Sequence, residues 1–514
     1  MLRRKPTWTS RKPASTWCAE SMPRRAPLAL ALSLLLAACA SPDGAMPAKA
    51  RLLEPAHLDA GSAIAAAAQG EAAAWPDETW WTVLGDPQLD RLVQRAQEGN
   101  PGLRASAARV RLAQALAGVT EAAAGPAVNA SASADRTRYP EHGAAPAAIA
   151  GRTLWKENAA LTGAIDLDAW GRHREALQAA LGDVKVAEAE QQMVRLALQT
   201  AIVRAYIRLA HAYALHDLAT ATLQQRQRQH AMAQKRHAAG LSGAYETAAL
   251  AATLPAGERG RQQAMAAIAL LQHQLAALTG QGPGDGERIA RPVLNLGPAQ
   301  HPGAAHRMPP VAWAANAALP SALPAQLIGR RPDVAAQRWR IEAAARRIGA
   351  ARADFYPDIN IAAFAGLQAF GFTRLLEAGS RTMGVAPAIN LPVFDSGRLR
   401  SRLGAQRAAW DIAVEQYNGA VVQALADVAG AVSQQRAIAA QLQQSEAAQA
   451  AAMHAETLAE RAWRAGLTDA DAVINARMSA LHEQQNVLDM SARLLENHTL
   501  LMAALGGGVK AEIH

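Results

Sequence analysis

The stretch RRPDVAAQRWRIEAAARRIGAARADFYPDINI, from Arg330 to Ile361, decides the fold because a weaker version of it occurs earlier in the chain. The earlier version, NPGLRASAARVRLAQALAGVTEAAAGPAVNA, begins at Asn100. When Pro101 is placed under Pro332, 231 positions later, the following pairs align without a gap: Leu103 with Val334, Arg109 with Arg340, Val110 with Ile341, Pro126 with Pro357 and Asn129 with Asn360. A repeat of this length predicts two similar halves.

Glycines mark the same interval in both halves. Gly171 and Gly240 are 69 positions apart, as are Gly397 and Gly466, and the two pairs are offset by 226 positions. The residues between them are rich in Ala, Gln, Arg and Leu. Each interval therefore predicts one helix of about 100 Å. In the second interval, apolar residues fall near a helical repeat at Ala413, Tyr417, Ala420, Leu425 and Val428.

Shorter segments flank each long interval. The return segments, which end at Gly280 and Gly506, cover 40 positions each, or about 60 Å as helices. The opening segments, Pro101–Pro126 and Pro332–Pro357, cover 25 positions each, or roughly 37 Å. Two shorter helices placed end to end should therefore match one long helix. The first proline of each opening segment fits the first helical turn, and we expect the second proline to stop the helix.

The residues after each opening segment show the two-residue period of β-strands. In the second half, DINIAAFAGLQAF begins at Asp358, and TMGVAPAINLPVF begins at Thr382 and alternates through Leu391 and Val393. The first half contains the weaker AVNASASADRTR and NAALTGAIDLDAW, separated by a loop rich in Pro, Gly and Ala at residues 139–151. We predict four strands of about ten residues, a length that crosses a bilayer when tilted.

Four strands cannot close into a barrel by themselves. A sheet in lipid must close, because each unpaired edge amide costs several kcal/mol there. Several copies of the chain must therefore contribute to one barrel, and closure alone leaves the copy number open. A small soluble sheet is the alternative interpretation of the strands, and a solvated coiled-coil rod is the alternative for the helices.

The composition suits long helices and an exported chain. Aromatic residues make up only 4% of the sequence, which favours closely packed helices over a bulky core. The formal net charge is +9, but residues 1–38 hold seven Lys or Arg and one acid, so removing them leaves about +3. That small charge gives no support for a nucleic-acid partner.

The N-terminus has the features of a signal peptide. PRRAPLALALSLLLAACAS combines a basic region, a short apolar region and small residues before Cys39, and Met22 is a possible true start. The four residues Leu36–Cys39 resemble a bacterial lipobox, which implies acylation of Cys39. The absence of Asp directly after Cys39 implies export to the outer membrane. Cys39 is then the only cysteine of the mature chain, so no disulfide can form.

These observations divide the chain into six segments. They are a signal peptide (1–38), a lipidated leader and equatorial segment with a short helix that ends at Gly99 (39–99), a first repeat of helix, two strands, long helix and return helix (100–280), an equatorial linker or strap (281–325), a second repeat (326–508) and a C-terminal tail (509–514).

Several motifs resemble one known family. LPAQLIGRRPDVAAQRWRIEAAARRIGAARADFYPDI, which begins at Leu323, is similar to the outer-membrane factor family, the TolC-like exit ducts, in its NodT and OprM lipoprotein subfamily. DAWGR ending at Arg172, LPVFDSGR ending at Arg398 and LGGG ending at Gly508 carry the same resemblance. It implies a mostly α chain with a membrane β-barrel: a homotrimer whose twelve strands form one outer-membrane barrel that continues into a long periplasmic α-helical barrel, with two structural repeats per chain.

The resemblance also locates a mouth. In the family, the helix turns at the far periplasmic end form a constriction, and these turns match AAGLSGAYETA around Gly240 and RAGLTDADAVINAR around Gly466. We expect the two glycines to mark the helix-turn tips to which an adaptor docks. Many relatives carry an acid nine residues beyond the second glycine, where this chain has Asn475.

Other acids lie near that position. We hypothesise that Asp469, Asp471 and Glu246 form an acidic mouth, because threefold copies of a carboxylate in a narrow pore would favour cations. The alternative is that these acids complement the dipole at the start of a return helix. The sequence leaves both interpretations open.

The implied function is a passive exit duct of a tripartite efflux system. An inner-membrane pump, by resemblance of the resistance-nodulation-division type, and a periplasmic adaptor would deliver the substrates. The duct would lie in the outer membrane of a Gram-negative bacterium, lipid-anchored, with most of the chain in the periplasm. The rival interpretations are a lipid-anchored periplasmic adaptor, which the doubled strand pairs disfavour, and a structural rod without a pore.

The sequence contains no motif of a common catalytic site. HExxH, Walker, CxxC and GxSxG patterns are absent, so we expect no enzyme, no metal and no cofactor apart from the lipid on Cys39. The 14 histidines are scattered. Pairs such as His211 and His216 fit pore-facing or solvated positions better than metal ligation.

Overall fold

The computed structural model describes residues 50–53, 75–144, 146–294, 296 and 329–509. The predicted signal peptide, Met22, Cys39 and residues 510–514 of the predicted tail lie outside these residues. Most of the predicted linker at 281–325 also lies outside them, from residue 297 onward.

Helices dominate the described chain. After a short 3-10 turn at Trp80–Leu84, the helices in chain order are α1 (Pro87–Gly99), α2 (Pro101–Ala122), α3 (Arg172–Ala238), α4 (Ala244–Leu278), α5 (Pro283–Gly286), α6 (Pro332–Ala353), α7 (Arg398–Arg464) and α8 (Ala470–Ala504). Helix α1 ends at Gly99 as predicted. None of the helices in the described ranges has both the length and the apolarity needed to cross a membrane.

The helix lengths agree between the halves. Helices α3 and α7 have 67 residues each, α4 and α8 have 35 each, and α2 and α6 have 22 each. The glycine spacing therefore predicts the length of the two long helices to within two residues. The predicted apolar stripe of α7 is also confirmed: Ala413, Tyr417, Leu425 and Val428 are buried, and Ala420 is half-buried.

The second proline of each opening segment stops its helix earlier than expected. Helix α2 ends at Ala122 and α6 at Ala353, each four residues before the proline. The carbonyl of residue i−4 would have bonded the proline N–H, which does not exist. Pro126 and Pro357 instead stand directly before strands, where their fixed φ is tolerated.

Four strands form one antiparallel sheet in the order β1-β2-β3-β4. They are β1 (Ala127–Arg138), β2 (Thr153–Leu167), β3 (Asp358–Phe370) and β4 (Arg381–Asn390). Strand β2 pairs with β3 along its length, for example Ile165 with Ile361, although the long hairpin of α3 and α4 separates them in sequence. The sheet thus joins the two halves.

Strand β4 is shorter than its sequence pattern predicts. The alternation continues through Leu391 and Val393, yet the strand ends at Asn390. Asn390 is paired with Asp358, the first residue of β3, so the residues after Asn390 have no strand partner there.

Aspartates fix the start of both long helices. Asp168 accepts hydrogen bonds from the backbone N–H groups of His173 (3.0 Å) and Arg174 (2.9 Å). Asp395 accepts them from Gly397 (3.0 Å) and Leu399 (2.8 Å). Burial would raise the pKa of Asp168, but these backbone bonds outweigh it and hold the pKa below the ordinary value.

The shorter helices meet end to end, as the segment lengths predict. The Asn100 side chain caps α2 by accepting the Leu103 N–H (3.1 Å) and donates to the last carbonyl of α4, that of Leu278 (2.9 Å). In the second half, Arg331 donates to the carbonyl of Ala504 at the end of α8 (3.3 Å).

The main apolar core lies where α1, α3, α4 and α8 pack together. Tyr206 of α3 is fully buried there, and its hydroxyl donates to Asp86 Oδ2 at 2.6 Å. Burial and this bond raise the pKa of Tyr206 well above its ordinary value. Asp86 also caps α1 by accepting the Gln88 N–H at 2.9 Å, so one buried hydrogen-bond network joins the equatorial segment to the long helix.

The candidate docking and gating site at the hairpin tips

Each pair of long and return helices ends in a tight turn, here called a tip: residues 239–243 between α3 and α4, and residues 465–469 between α7 and α8. Gly240 has φ 70° and Gly466 has φ 73°, in the left-handed region that favours glycine. In both turns the residue after the glycine donates a hydrogen bond back to the last turn of the long helix. The Leu241 N–H donates to the carbonyl of Arg236, and the Leu467 N–H donates to the carbonyl of Ala462, each at 2.9 Å.

The tips expose large apolar side chains. Leu241 is 77% exposed, Tyr245 87% and Leu467 81%. Large apolar side chains exposed together on a surface are a common mark of an interaction site. The two predicted tip glycines thus lie in turns flanked by exposed apolar side chains.

The predicted gate acids all lie at helix starts. Asp469 is the N-cap of α8, and its Oδ1 accepts the Ala472 N–H at 2.9 Å. Asp471 lies in the first turn of α8 and Glu246 in the first turn of α4. These positions are favourable for negative charge because of the helix dipole. Asn475 is exposed one turn farther along α8.

Arg236, in the last turn of α3, joins two of these acids. Its Nη2 lies 2.6 Å from Glu246 Oε1 and 2.5 Å from Asp471 Oδ2. The bond to Asp471 is the main cause that raises the pKa of Arg236. This arrangement, the Arg236 clamp, connects the first hairpin to the second at their tips, and within one chain it neutralises part of the predicted acidic mouth.

Sequence reasoning missed Arg236. A basic residue in the last turn of a helix is common, so it gave no distinct signal, and its partner Asp471 belongs to the other half of the chain. A second ion pair, between Arg477 of α8 and Glu456 of α7, braces the second hairpin a little farther from its tip.

The two histidines singled out in the sequence each lie beside a carboxylate. His211 Nε2 lies 2.8 Å from Asp489 Oδ1, and His216 Nδ1 lies 3.6 Å from Asp217 Oδ1. Within the described ranges no group of three or more His, Cys, Asp or Glu has the arrangement of a metal site. Cys39 lies outside these ranges.

Comparison with known proteins identifies the family of the chain. Residues 92–281 and 323–507 match the family model described as outer membrane efflux protein. The chain is 40% identical over 384 residues to the fusaric acid resistance protein FusA of Burkholderia cepacia, covering 74% of this chain and 68% of that one. It is 31% identical over 468 residues to the multidrug resistance outer membrane protein MdtP of Shigella flexneri, covering 89% and 91%.

Solved structures show the same fold. The outer membrane protein VceC of Vibrio cholerae matches with a TM-score of 0.74 at 32% identity, covering 85% of this chain and 100% of that one. The outer-membrane channel OprN matches with a TM-score of 0.74 at 26% identity, covering 91% and 99%. The resemblance seen in the sequence motifs is confirmed: the chain belongs to the outer membrane efflux protein family and is an efflux channel of the outer membrane.

Proposed function

We propose that this channel is the exit duct of a tripartite efflux system, built as a homotrimer. Its twelve strands form one barrel in the outer membrane, its helices form a hollow periplasmic barrel, and it conducts passively what a pump and an adaptor deliver. The observation that carries the proposal is the open sheet: among the described residues, β1 pairs only with β2 and β4 only with β3.

The open edges require partners in a membrane. Every unpaired N–H or C=O group in hydrocarbon costs several kcal/mol, and all residues of β1 are exposed in the single chain. Pairing β4 of one copy with β1 of the next, repeated around the ring, satisfies both edges of every copy. A ring of identical chains is therefore the simplest closure.

The two faces of the sheet differ as a barrel wall requires. Ala130, Leu161, Ala365 and Met383 are paired across the four strands in one row, and this side of the sheet is here called the apolar face. The opposite side of β1 carries the following polar residues: Asn129, Ser131, Ser133, Asp135 and Thr137. Apolar residues toward lipid and polar residues toward a lumen are the pattern of a membrane barrel.

An apolar stripe on α2 supports contact between copies below the barrel. Leu112, Leu116 and Val119 lie one turn apart and are 60%, 57% and 67% exposed. A stripe of this kind needs a covering helix. The matched helix lengths support two structural repeats per chain, so three copies would give a wall of near-sixfold symmetry.

The tips would serve as the mouth. We assign Leu241 and Leu467, with the turns at Gly240 and Gly466, to docking of the periplasmic adaptor. The Arg236 clamp would hold the mouth in its resting state, with Asp469, Asp471, Glu246 and Asn475 placed around the opening. The pump would be of the resistance-nodulation-division type, and the lipid would be attached to Cys39.

The names of two relatives bear on the cargo. One is named for fusaric acid resistance and another for multidrug resistance. We assign toxic organic compounds to this duct on that basis. Because the duct has no energy source, the choice among them would belong to the pump.

Two measurements test the duct. Purified protein in planar bilayers should give stable ion conductance, and native mass spectrometry should give three copies per particle. Absence of conductance would contradict a pore and favour a rod, and another copy number would contradict the twelve-stranded barrel.

A third measurement tests the partner. Cysteine at Ala470, in a mature chain whose only other cysteine is Cys39, should crosslink in cells to a periplasmic adaptor identified by mass spectrometry. Cysteine at Ala450 of α7, far from either tip, is the matched control and should capture no adaptor. Equal capture at both sites would contradict docking at the tips.

A further inference from the structure

Three arginines interrupt the apolar face at one end of the sheet. Arg136 and Arg138 continue on β1 the alternate positions that begin with Ala130, and Arg381 lies two residues before Met383 on β4. Because successive side chains of a strand point to opposite faces of the sheet, all three arginines point to the apolar face. They lie beside the loops that connect β1 to β2 and β3 to β4, at the end of the sheet away from the helices.

These arginines have no carboxylate partner among the described residues. Arg136 stacks over the ring of Trp155, 5.9 Å from its centroid. The one acid of the strands on the same face is Glu157, which is 1% exposed and accepts the Gly371 N–H at 2.9 Å. On the opposite face at the same height, Lys156 is paired in register with Asp135.

The two faces of the sheet therefore differ in the sign of the charges that they expose. The polar face carries both signs, whereas the exposed charge of the apolar face is positive only. An arginine at the border of a lipid-facing surface keeps its stem on apolar atoms and its guanidinium at the headgroup level. A guanidinium there binds phosphate oxygens in a bidentate manner, with better geometry than an ammonium group.

An aromatic pair marks the same level. Trp155, on the apolar face, lies 5.7 Å from Phe372, measured between ring centroids. Aromatic side chains of membrane barrels concentrate at the membrane–water interface. The arginines thus lie where headgroups begin.

We infer that Arg136, Arg138 and Arg381, the arginine patch, bind the phosphates of the phosphorylated glycolipid that forms the outer leaflet of the outer membrane. The acyl chains of that lipid would cover the row that contains Leu161 and Met383. The inference rests on the proposed barrel, because that closure turns the apolar face toward lipid. A free phosphate ion would make no use of the apolar row, which selects the lipid as the occupant.

Purified protein in a neutral detergent tests the patch. It is titrated with bisphosphorylated lipid A, and bound lipid is counted by native mass spectrometry. The variant Arg136→Gln/Arg138→Gln/Arg381→Gln should bind lipid A at least about tenfold more weakly than the unaltered chain, since charge-assisted bonds to phosphate are lost. The matched control Lys156→Gln removes one positive charge at the same height on the polar face and should bind as the unaltered chain does.

The results separate this inference from the proposed barrel. Equal binding by the triple variant and the control, or equal binding of dephosphorylated lipid A by the unaltered chain, would overturn the patch. Ion conductance of the triple variant in planar bilayers tests separately whether the protein forms the proposed barrel. A conducting protein with undiminished lipid A binding would refute the patch alone, whereas arginine-dependent binding without conductance would support the patch and count against the barrel.

Discussion

Nη2 of Arg236 lies 2.5 Å from Oδ2 of Asp471, although the two residues belong to different halves of the chain. The same nitrogen lies 2.6 Å from Glu246. Any widening of the mouth that moves α8 away from α3 must break the first contact. The clamp is exposed to water, so its strength is moderate and depends on salt.

Removing the clamp should open the mouth. Arg236→Gln keeps hydrogen-bonding capacity but removes the charge, and we expect the open probability in planar bilayers to rise about two- to fivefold at low salt. Arg464→Gln, which removes an exposed pair with Glu460 near the tip of the other hairpin, should change little. An Arg236→Gln channel that gates like the unaltered one would show that the clamp does not hold the mouth.

The buried hydroxyl of Tyr206 should matter for stability. Tyr206→Phe removes the donor to Asp86 and the acceptor for Gln88 Nε2 at 3.0 Å, and we expect a loss of about 1–3 kcal/mol in the free energy of unfolding. Urea unfolding followed by circular dichroism measures it. Tyr213→Phe, whose hydroxyl receives only a 3.4 Å contact from Gln272, is the control. Equal losses in the two variants would refute the assignment.

The end-to-end helix joint should not tolerate a side chain. A Cβ at Gly280 would lie 2.3 Å from the carbonyl oxygen of Gly99, and φ at Gly280 is 75°. Gly280→Ala should therefore lower the unfolding free energy by more than about 1–2 kcal/mol, the left-handed backbone penalty alone. At Gly282 nothing lies within 4 Å of a Cβ, so Gly282→Ala should be close to neutral. Comparable melting temperatures for both variants would contradict the tight joint.

Acid should weaken the fold through His498. The side chain is 6% exposed, and burial lowers its pKa from 6.5 to about 4. The unfolded state then binds more protons between these values, so stability is complete above pH 6.5 and falls as the pH drops toward 4, by up to about 3 kcal/mol.

Unfolding measured at several pH values between 7 and 4.5 tests this dependence. His498→Gln should flatten it, whereas His482→Gln, at an exposed position of the same helix, should not. A pH dependence that survives in His498→Gln would assign the acid sensitivity to other groups.

The helix lengths and the strands could be predicted because they depend on local periods. The interval from Gly397 to Gly466 predicts α7 within two residues, since a left-handed glycine stands at each end of this helix. The end of α2 was less predictable. The helix ends at Ala122 because Pro126 has no N–H to donate to the carbonyl of Ala122. The sequence pattern around Ala122 does not by itself indicate a helix end.

The candidate site was predictable in position but not in its contacts. The tip turns follow from Gly240 and Gly466, and the acids near them were recognised. The pairing of Glu246 and Asp471 through Arg236 depends on how α3 and α8 are rotated against each other, which no spacing along the chain records. For the same reason, the sequence offered no sign that Asn100 would reach the last carbonyl of α4.

The pairing of β2 with β3 has a mechanical consequence for the channel. Along this ladder, from Leu167 and Ile359 to Lys156 and Phe370, the two halves are held by backbone hydrogen bonds, whereas at the tips the Arg236 clamp is a side-chain link. Displacement of one half against the other therefore requires less free energy at the tips than at the sheet. In the proposed duct, the periplasmic aperture would change while the barrel that seals the outer membrane keeps its backbone hydrogen bonds.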